Sequence, residues 1–228
     1  MLRKQRGIAN AAMVAVLLGA LWVAMDVAGW PEVALAQEVA GSITKIEGSA
    51  QLIRGGQSLA LAVGTAVDVG DKVTTAAKAQ VRLTLRDGSI LTLGESGTIV
   101  IDHMISATGT APSVIRLLGG HLRSIVAAAL RGTIASFEIH TPNAVAGVRG
   151  TRFDTAFIEG TPCPGFPKCL RYTDVGVSEG IVEVTNPTNP SAPGVLVEAG
   201  YETTVPCEEP PTSPGPLGMG EMGGPGYH

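Results

Sequence analysis

Apolar and polar residues alternate along much of the chain. Val81, Leu83 and Leu85 are interleaved with Arg82, Thr84 and Arg86, which puts one apolar and one polar face on an extended segment. Asp87-Gly88 then supplies turn chemistry, compatible with a tight hairpin or with the corner of a solenoid. A second run over 90–93 stops at Gly94, and a third, more continuously apolar, spans 98–105. Short runs punctuated by Gly, Asp and Ser at such spacings predict an all-β domain. One stretch has another period. Leu122, Ile125, Val126 and Ala129 fall at i, i+3, i+4 and i+7 in an Ala-rich context, which predicts a helix of about ten residues.

A degenerate repeat underlies the strands. Segments 43–52 and 175–184 each read as strand, glycine, strand, the latter around Gly180, and each is followed by a run ending on a glycine, Gly64 or Gly200. A looser third copy, 116–125, surrounds Gly119-Gly120. Units of this kind bury a face only by packing on their neighbours. The expected architecture is all-β, a short irregular β-solenoid or rolled β-sheet with one short helix. A β-sandwich is the alternative, because period-two strands fit both.

The two ends depart from this pattern. Arg3, Lys4 and Arg6 precede the apolar stretch 11–25, and Ala34-Leu35-Ala36 is a small-x-small site before Gln37. Residues 1–36 therefore read as a secretory signal peptide. The apolar stretch falls short of the roughly 20 residues a membrane span needs, and Asp26 follows it. At the other end, 206–228 holds 6 Pro and 6 Gly in 23 residues with little apolar content to offset ordering entropy, so a disordered tail is expected there. The folded domain is thus expected over 37–205.

Charge narrows the function classes. The chain carries 16 Lys+Arg against 20 Asp+Glu, and without 1–36 the balance is 13 to 18. No nucleic-acid partner is expected from such a balance, nor bulk attraction to anionic membrane. Both tryptophans, Trp22 and Trp30, fall within 1–36, which disfavours glycan binding by aromatic stacking. His103, His121, His140 and His228 are scattered without metal-ligand spacing. Gly94-Glu95-Ser96-Gly97 lacks one residue of the Gly-x-Ser-x-Gly nucleophile elbow, and no phosphate-cradling loop or dinucleotide fingerprint is present. No catalytic, metal or cofactor-binding residue is assigned, and neither enzymatic activity nor a cofactor is expected. Cys163 and Cys169 flank a proline-rich loop that a disulfide would pin in an oxidising compartment, leaving Cys207 free or intermolecular, although Cys207 could replace either partner.

One series of motifs carries a family resemblance. Gly64-Thr65, Gly70-Asp71-Lys72-Val73-Thr74-Thr75, Arg86-Asp87-Gly88-Ser89, Gly119-Gly120 and, most specifically, Thr141-Pro142-Asn143-Ala144-Val145-Ala146-Gly147-Val148-Arg149-Gly150-Thr151-Arg152-Phe153 occur in this order. Val177-Ser178-Glu179-Gly180 and Val197-Glu198-Ala199-Gly200 follow. Together, over about 41–205, they resemble the FecR domain. The resemblance implies an extracytoplasmic, non-enzymatic β-rich module that senses or relays a signal. In the best-known members the signal passes from an outer-membrane TonB-dependent receptor to a sigma factor. About ten residues precede the apolar stretch here, so the cytoplasmic sigma-binding domain of the transmembrane regulators is not expected. The expected partner is an envelope protein, an outer-membrane receptor or a membrane regulator, reached in the periplasm or at the cell surface. A glycan- or ligand-binding accessory domain and a self-assembling structural protein are the alternatives.

The signature residues also have a physical reading. Asp71 beside Gly70 and Asp87 beside Gly88 suit turns in which the carboxylate bonds local backbone. Pro142 ends the strand at His140-Thr141, and Gly147 and Gly150 bracket a sharp reversal around Arg149. Arg149 suits orphan carbonyls at that corner or a carboxylate ligand. Thr151 closes the motif.

Overall fold

The computed structural model describes residues 38–104, 111–127, 137–148 and 150–218, and among these every regular element is a strand. The first half of the chain provides β1 (Val39–Glu47), β2 (Ala50–Arg54), β3 (Gln57–Ala60), β4 (Ala66–Asp68), β5 (Lys72–Thr75), β6 (Gln80–Leu85), β7 (Ile90–Leu93) and β8 (Thr98–His103). A long central strand follows, β9 (Ser113–Ile125). The second half provides β10 (Phe137–His140), β11 (Val145–Val148), β12 (Arg152–Glu159), β13 (Arg171–Glu179), β14 (Ile181–Thr185), β15 (Val195–Glu198), β16 (Tyr201–Pro206) and β17 (Gly215–Pro216).

Pairing sorts these strands into two arrays that meet in β9. The first sheet runs β4-β1-β6-β7-β9-β12-β13-β16-β17. The second runs β3-β2-β5-β8-β9-β10-β11-β14-β15. Every pairing is antiparallel except β9 with β10. The chain therefore folds one continuous 17-stranded sheet back on itself across β9. The two inner faces share a core, in which Ile43, Leu83, Leu91, Leu122, Phe153 and Val177 from the first sheet join Leu52, Val73, Ile99, Ile115, Phe137 and Val182 from the second. Burying each of the larger side chains contributes about 2–3 kcal/mol. The domain is all-β, a rolled sheet whose two faces close like a sandwich.

The middle of β9 shows how the chain changes sheets. Its inward residues are Ser113, Ile115 and Leu117 up to the bend, then Leu122 and Ser124 beyond it. Odd positions give way to even ones, so the strand turns its other face inward as it crosses. Gly120 makes the change with φ 81°, and a Cβ there would lie 2.6 Å from Gly97 Cα. Only glycine meets both conditions.

The sequence expectations fail here at two places. The helix expected around Leu122, Ile125 and Val126 is absent, since β9 continues to Ile125 with β7 on one side and β12 on the other. Ladder bonds on both flanks override the helical spacing of those apolar residues. The segment from Pro206 to Gly218 is also ordered, contrary to the expected disordered tail. Thr212 Oγ1 accepts the Thr204 N–H at 3.0 Å, Asn186 Nδ2 donates to the carbonyls of Cys207 and Glu209 at 2.9 and 2.7 Å, and β17 adds to β16. The Asn186 amide, the segment's own Thr212 hydroxyl and the pairing of β17 hold this proline-rich segment, in place of apolar content of its own. The expected signal peptide 1–36, Ile105, Ala129, Arg149 and 219–228 lie outside the described residues.

Candidate functional site

The Gly70-Asp71 motif sits where the chain passes from β4 in the first sheet to β5 in the second. Gly70 takes φ 92° and its N–H donates to the Ile101 carbonyl at 2.7 Å. Asp71 is fully buried. Its Oδ2 accepts the Asp68 N–H at 2.7 Å, and Arg54 at the end of β2 grips both its oxygens, through Nε at 2.9 Å and an η-nitrogen at 2.6 Å. The other η-nitrogen reaches Asp68 Oδ2 at 2.8 Å. One guanidinium therefore ties β2 to the crossing between sheets, with the bidentate geometry that makes such pairs strong. Sequence reading missed Arg54, because its acidic partner lies 17 positions away and no local spacing signals it.

Asp87 and Gly88 form the hairpin turn between β6 and β7. Gly88 N–H donates to the Leu85 carbonyl at 3.0 Å, and Asp87 Oδ1 accepts the Ser89 N–H at 2.8 Å. Arg86 reaches across to the Met104 carbonyl at 3.0 Å and pairs with Glu38, whereas Arg82 is exposed.

Thr141-Pro142-Asn143-Ala144 turns β10 into β11 at the edge of the core. Pro142 begins the turn after the strand ends at His140, and Thr141 Oγ1 accepts the Ala144 N–H at 2.9 Å. The same hydroxyl meets Thr173 Oγ1 on β13 at 2.7 Å, Thr173 donates to Asn143 Oδ1 at 2.7 Å, and Asn143 Nδ2 donates to the Val205 carbonyl on β16 at 2.6 Å. A turn of the second sheet is thereby fastened to two strands of the first by buried, uncharged groups. Gly147, expected to flank a reversal, instead lies mid-strand in β11 between Glu138 and Glu183, with no positive φ. Ladder pairing on both sides keeps it extended. Gly150 has φ 62°, and the buried Thr151 accepts the Val126 N–H on its carbonyl at 2.8 Å.

Between β9 and β12 lies a half-buried charge cluster. Asp154 Oδ1 is 3.1 Å from His121 Nε2 and 3.0 Å from Arg123 Nε. Burial pushes the Asp154 carboxyl up, but the hydrogen bond and charge of His121 and the charge of Arg123 outweigh it and hold the group below the usual aspartate range. His140 Nε2 bonds Glu138 Oε2 at 2.7 Å on the outer face of the second sheet. Among the described residues no three His, Cys, Asp or Glu side chains cluster as metal ligands.

The expected Cys163–Cys169 disulfide is not the one formed. Cys169 is bonded to Cys207, with Cα atoms 5.8 Å apart, and Cys163 is a buried free thiol. The pairing of β13 with β16 matches Tyr172 to Pro206 and so carries Cys207 to the foot of β13, where its N–H donates to the Arg171 carbonyl at 3.1 Å. Long-range register, which short sequence spacing does not reveal, selects the partner.

The signature residues thus take their partners from different strand pairs and close separate corners of one scaffold. What remains open to other molecules are the margins of the sheets. In the second sheet, β3 has all four residues exposed, and β15 presents Leu196 at 64% exposure beside the exposed Ile181 of β14. Among the described residues each pairs on one side only.

The family described as FecR protein matches residues 71–183, a span running from the Asp71 corner to β14. Two crystal structures of a candidate anti-sigma factor from Parabacteroides distasonis are each 18% identical, with a TM-score of 0.46, over 59% of this chain and 54% of that one. The chain thus spans about half the length of that protein. A structure described as a cell surface anchoring domain is 27% identical, with a TM-score of 0.29, over 32% of this chain and 96% of its own. No curated protein matches the sequence.

Proposed function

Because the chain is a FecR-domain protein, we propose that it is a non-enzymatic module of a signalling regulator that docks a protein partner of the bacterial envelope by adding a strand of that partner to a free sheet edge. The observation that carries this reading is the pair of unpaired margins in the second sheet, β3 and β15, with Leu59 and Leu196 exposed on them. An open edge offers backbone donors and acceptors for affinity, and exposed side chains beside it give specificity. The disulfide is compatible with an extracytoplasmic location, and residues 1–36 are proposed to serve as the export signal. The partner class is an outer-membrane receptor or a membrane regulator.

The test is a crosslinked pull-down from native envelopes with the tagged full chain, partners being identified by mass spectrometry. It is run beside Leu59→Lys and Leu196→Lys, since lysine on an edge strand blocks pairing without disturbing a buried group. Recovery of one receptor or regulator, lowered about tenfold by one of the two variants, equivalent to roughly 1.4 kcal/mol, supports the proposal. Equal recovery in both variants removes edge addition. Recovery of the bait alone favours self-assembly and removes the signalling role.

A further inference from the structure

Three sulfur atoms share one small buried cluster. Cys163, only 2% exposed, packs with Cys169, Tyr172, Ile158 and Cys207, apart from the main core. Cys169 is already bonded to Cys207. It is also a backbone neighbour of Cys163, whose N–H donates to the Cys169 carbonyl at 2.8 Å while the intervening loop closes on itself through Phe166. That bond and the shared packing set the two cysteines side by side at the ends of one closed loop. Cys169 therefore has two partners within reach, one used and one in reserve.

We propose that Cys163, Cys169 and Cys207 form an internal thiol–disulfide exchange switch, in which Cys163 attacks Cys169 Sγ and releases Cys207 together with the segment that follows it. The thiolate of Cys163 forms the Cys163–Cys169 bond as the Cys169–Cys207 bond breaks. The departing electron pair stays on Cys207 Sγ, which takes a proton from water in place of the proton Cys163 gave up. Each side of the exchange holds one disulfide and one thiol, so no oxidant or reductant is consumed.

Two features give the exchange a resting state and a direction. Burial, and secondarily the charge of Asp174, raises the Cys163 thiol above its ordinary range, which keeps it protonated while the loop is closed. Opening of 163–169 admits water and lets the thiolate form. On the other side, Cys207 holds φ 38°, a left-handed conformation uncommon for a residue with a Cβ. Cutting its tether frees it to leave that conformation. Release also removes the covalent hold on 207–218, leaving that segment to noncovalent ties alone: the Arg171–Glu208 ion pair, the Asn186 amide, the Thr212 bonds to Thr203 and Thr204, and the short β17 pairing. When the segment lifts, the margin of β16 is uncovered.

The oxidised full chain is incubated at about pH 7 and about pH 9, quenched with N-ethylmaleimide and digested with trypsin. Cleavage after Lys168 and Arg171 puts the three cysteines on three peptides. The expected result is a Cys163–Cys169 disulfide with the label on Cys207, arising about tenfold faster per pH unit below the thiol pKa. Proteolysis within 208–218 rises in step. In Cys163→Ser the Cys169–Cys207 bond persists and Cys207 stays unlabelled. The proposal is overturned if the wild-type chain keeps Cys169–Cys207 with the label on Cys163 alone or on no cysteine, if Cys163 pairs with Cys207, or if Cys207 is labelled in Cys163→Ser.

Discussion

Before β9, the crossing at Gly70-Asp71 is fastened by a charged pair, Arg54 on the fully buried Asp71, with Asp68 alongside. After β9, the turn at Thr141-Pro142-Asn143 is fastened to the opposite sheet by two hydroxyls and an amide, with no charge among them. The two halves occupy matching places on either side of the same strand and face the same problem, a polar turn pressed against a core. Access to water separates their solutions. Arg54 keeps 29% of its side chain exposed, so its cation remains partly solvated while the fork reaches inward. Thr141, Asn143 and Thr173 are all buried, where an ion would lose hydration that its partner could not replace.

The comparison can be broken most severely at the strand both halves share. Gly120→Val places a branched side chain at positive φ against Gly97, and a loss of about 4 kcal/mol is expected in a urea melt. Both halves should unfold in one transition, and two separate transitions would show them to be independent units. Asp71→Asn leaves Arg54 facing a neutral group and should cost about 3 kcal/mol, less in high salt, where the Arg54–Asp71 attraction that the change removes is already screened at the partly exposed guanidinium. Thr173→Val strips partners from Thr141 and Asn143 in a dry site and should cost about 2 kcal/mol, independent of salt. Equal salt dependence of the two losses would erase the distinction between the corners. The mildest test concerns Asp154, whose carboxyl is held below the usual aspartate range. Its contribution is complete above the ordinary aspartate pKa of about 4 and is lost as pH falls through the lowered value. Asp154→Asn should therefore flatten the fall of stability on the acid side, measured as the urea midpoint against pH.

The first half was the more legible in sequence. Val81, Leu83 and Leu85 point inward and Arg82 is exposed, so alternation alone places β6 and its hairpin. In β9 the same logic breaks down for a definite reason. Inward Ser124 looks polar and half-buried Ile125 looks apolar, so the strand past the bend lacks period two and imitates a helix. The corners were legible as turns from Asp71, Asp87 and Pro142, but their distant partners were not, because Arg54, Thr173 and Val205 are brought in by register between strands far apart in sequence. Cys207 was misassigned for the same reason, a short loop being the only proximity that spacing can see.

The placement of β9 at the centre of both sheets has a consequence for the order of assembly. A chain delivered N-terminus first brings out β1–β8 while β7 and β8 still lack the neighbour that satisfies their outward backbone groups. Until residue 125 is free, the emerging half carries two unsatisfied rims, one on each sheet, and both are ready templates for a foreign strand. A single strand then seals both rims and offers two fresh ones to the half still to come. The interval before that sealing is when a chaperone would have most to protect.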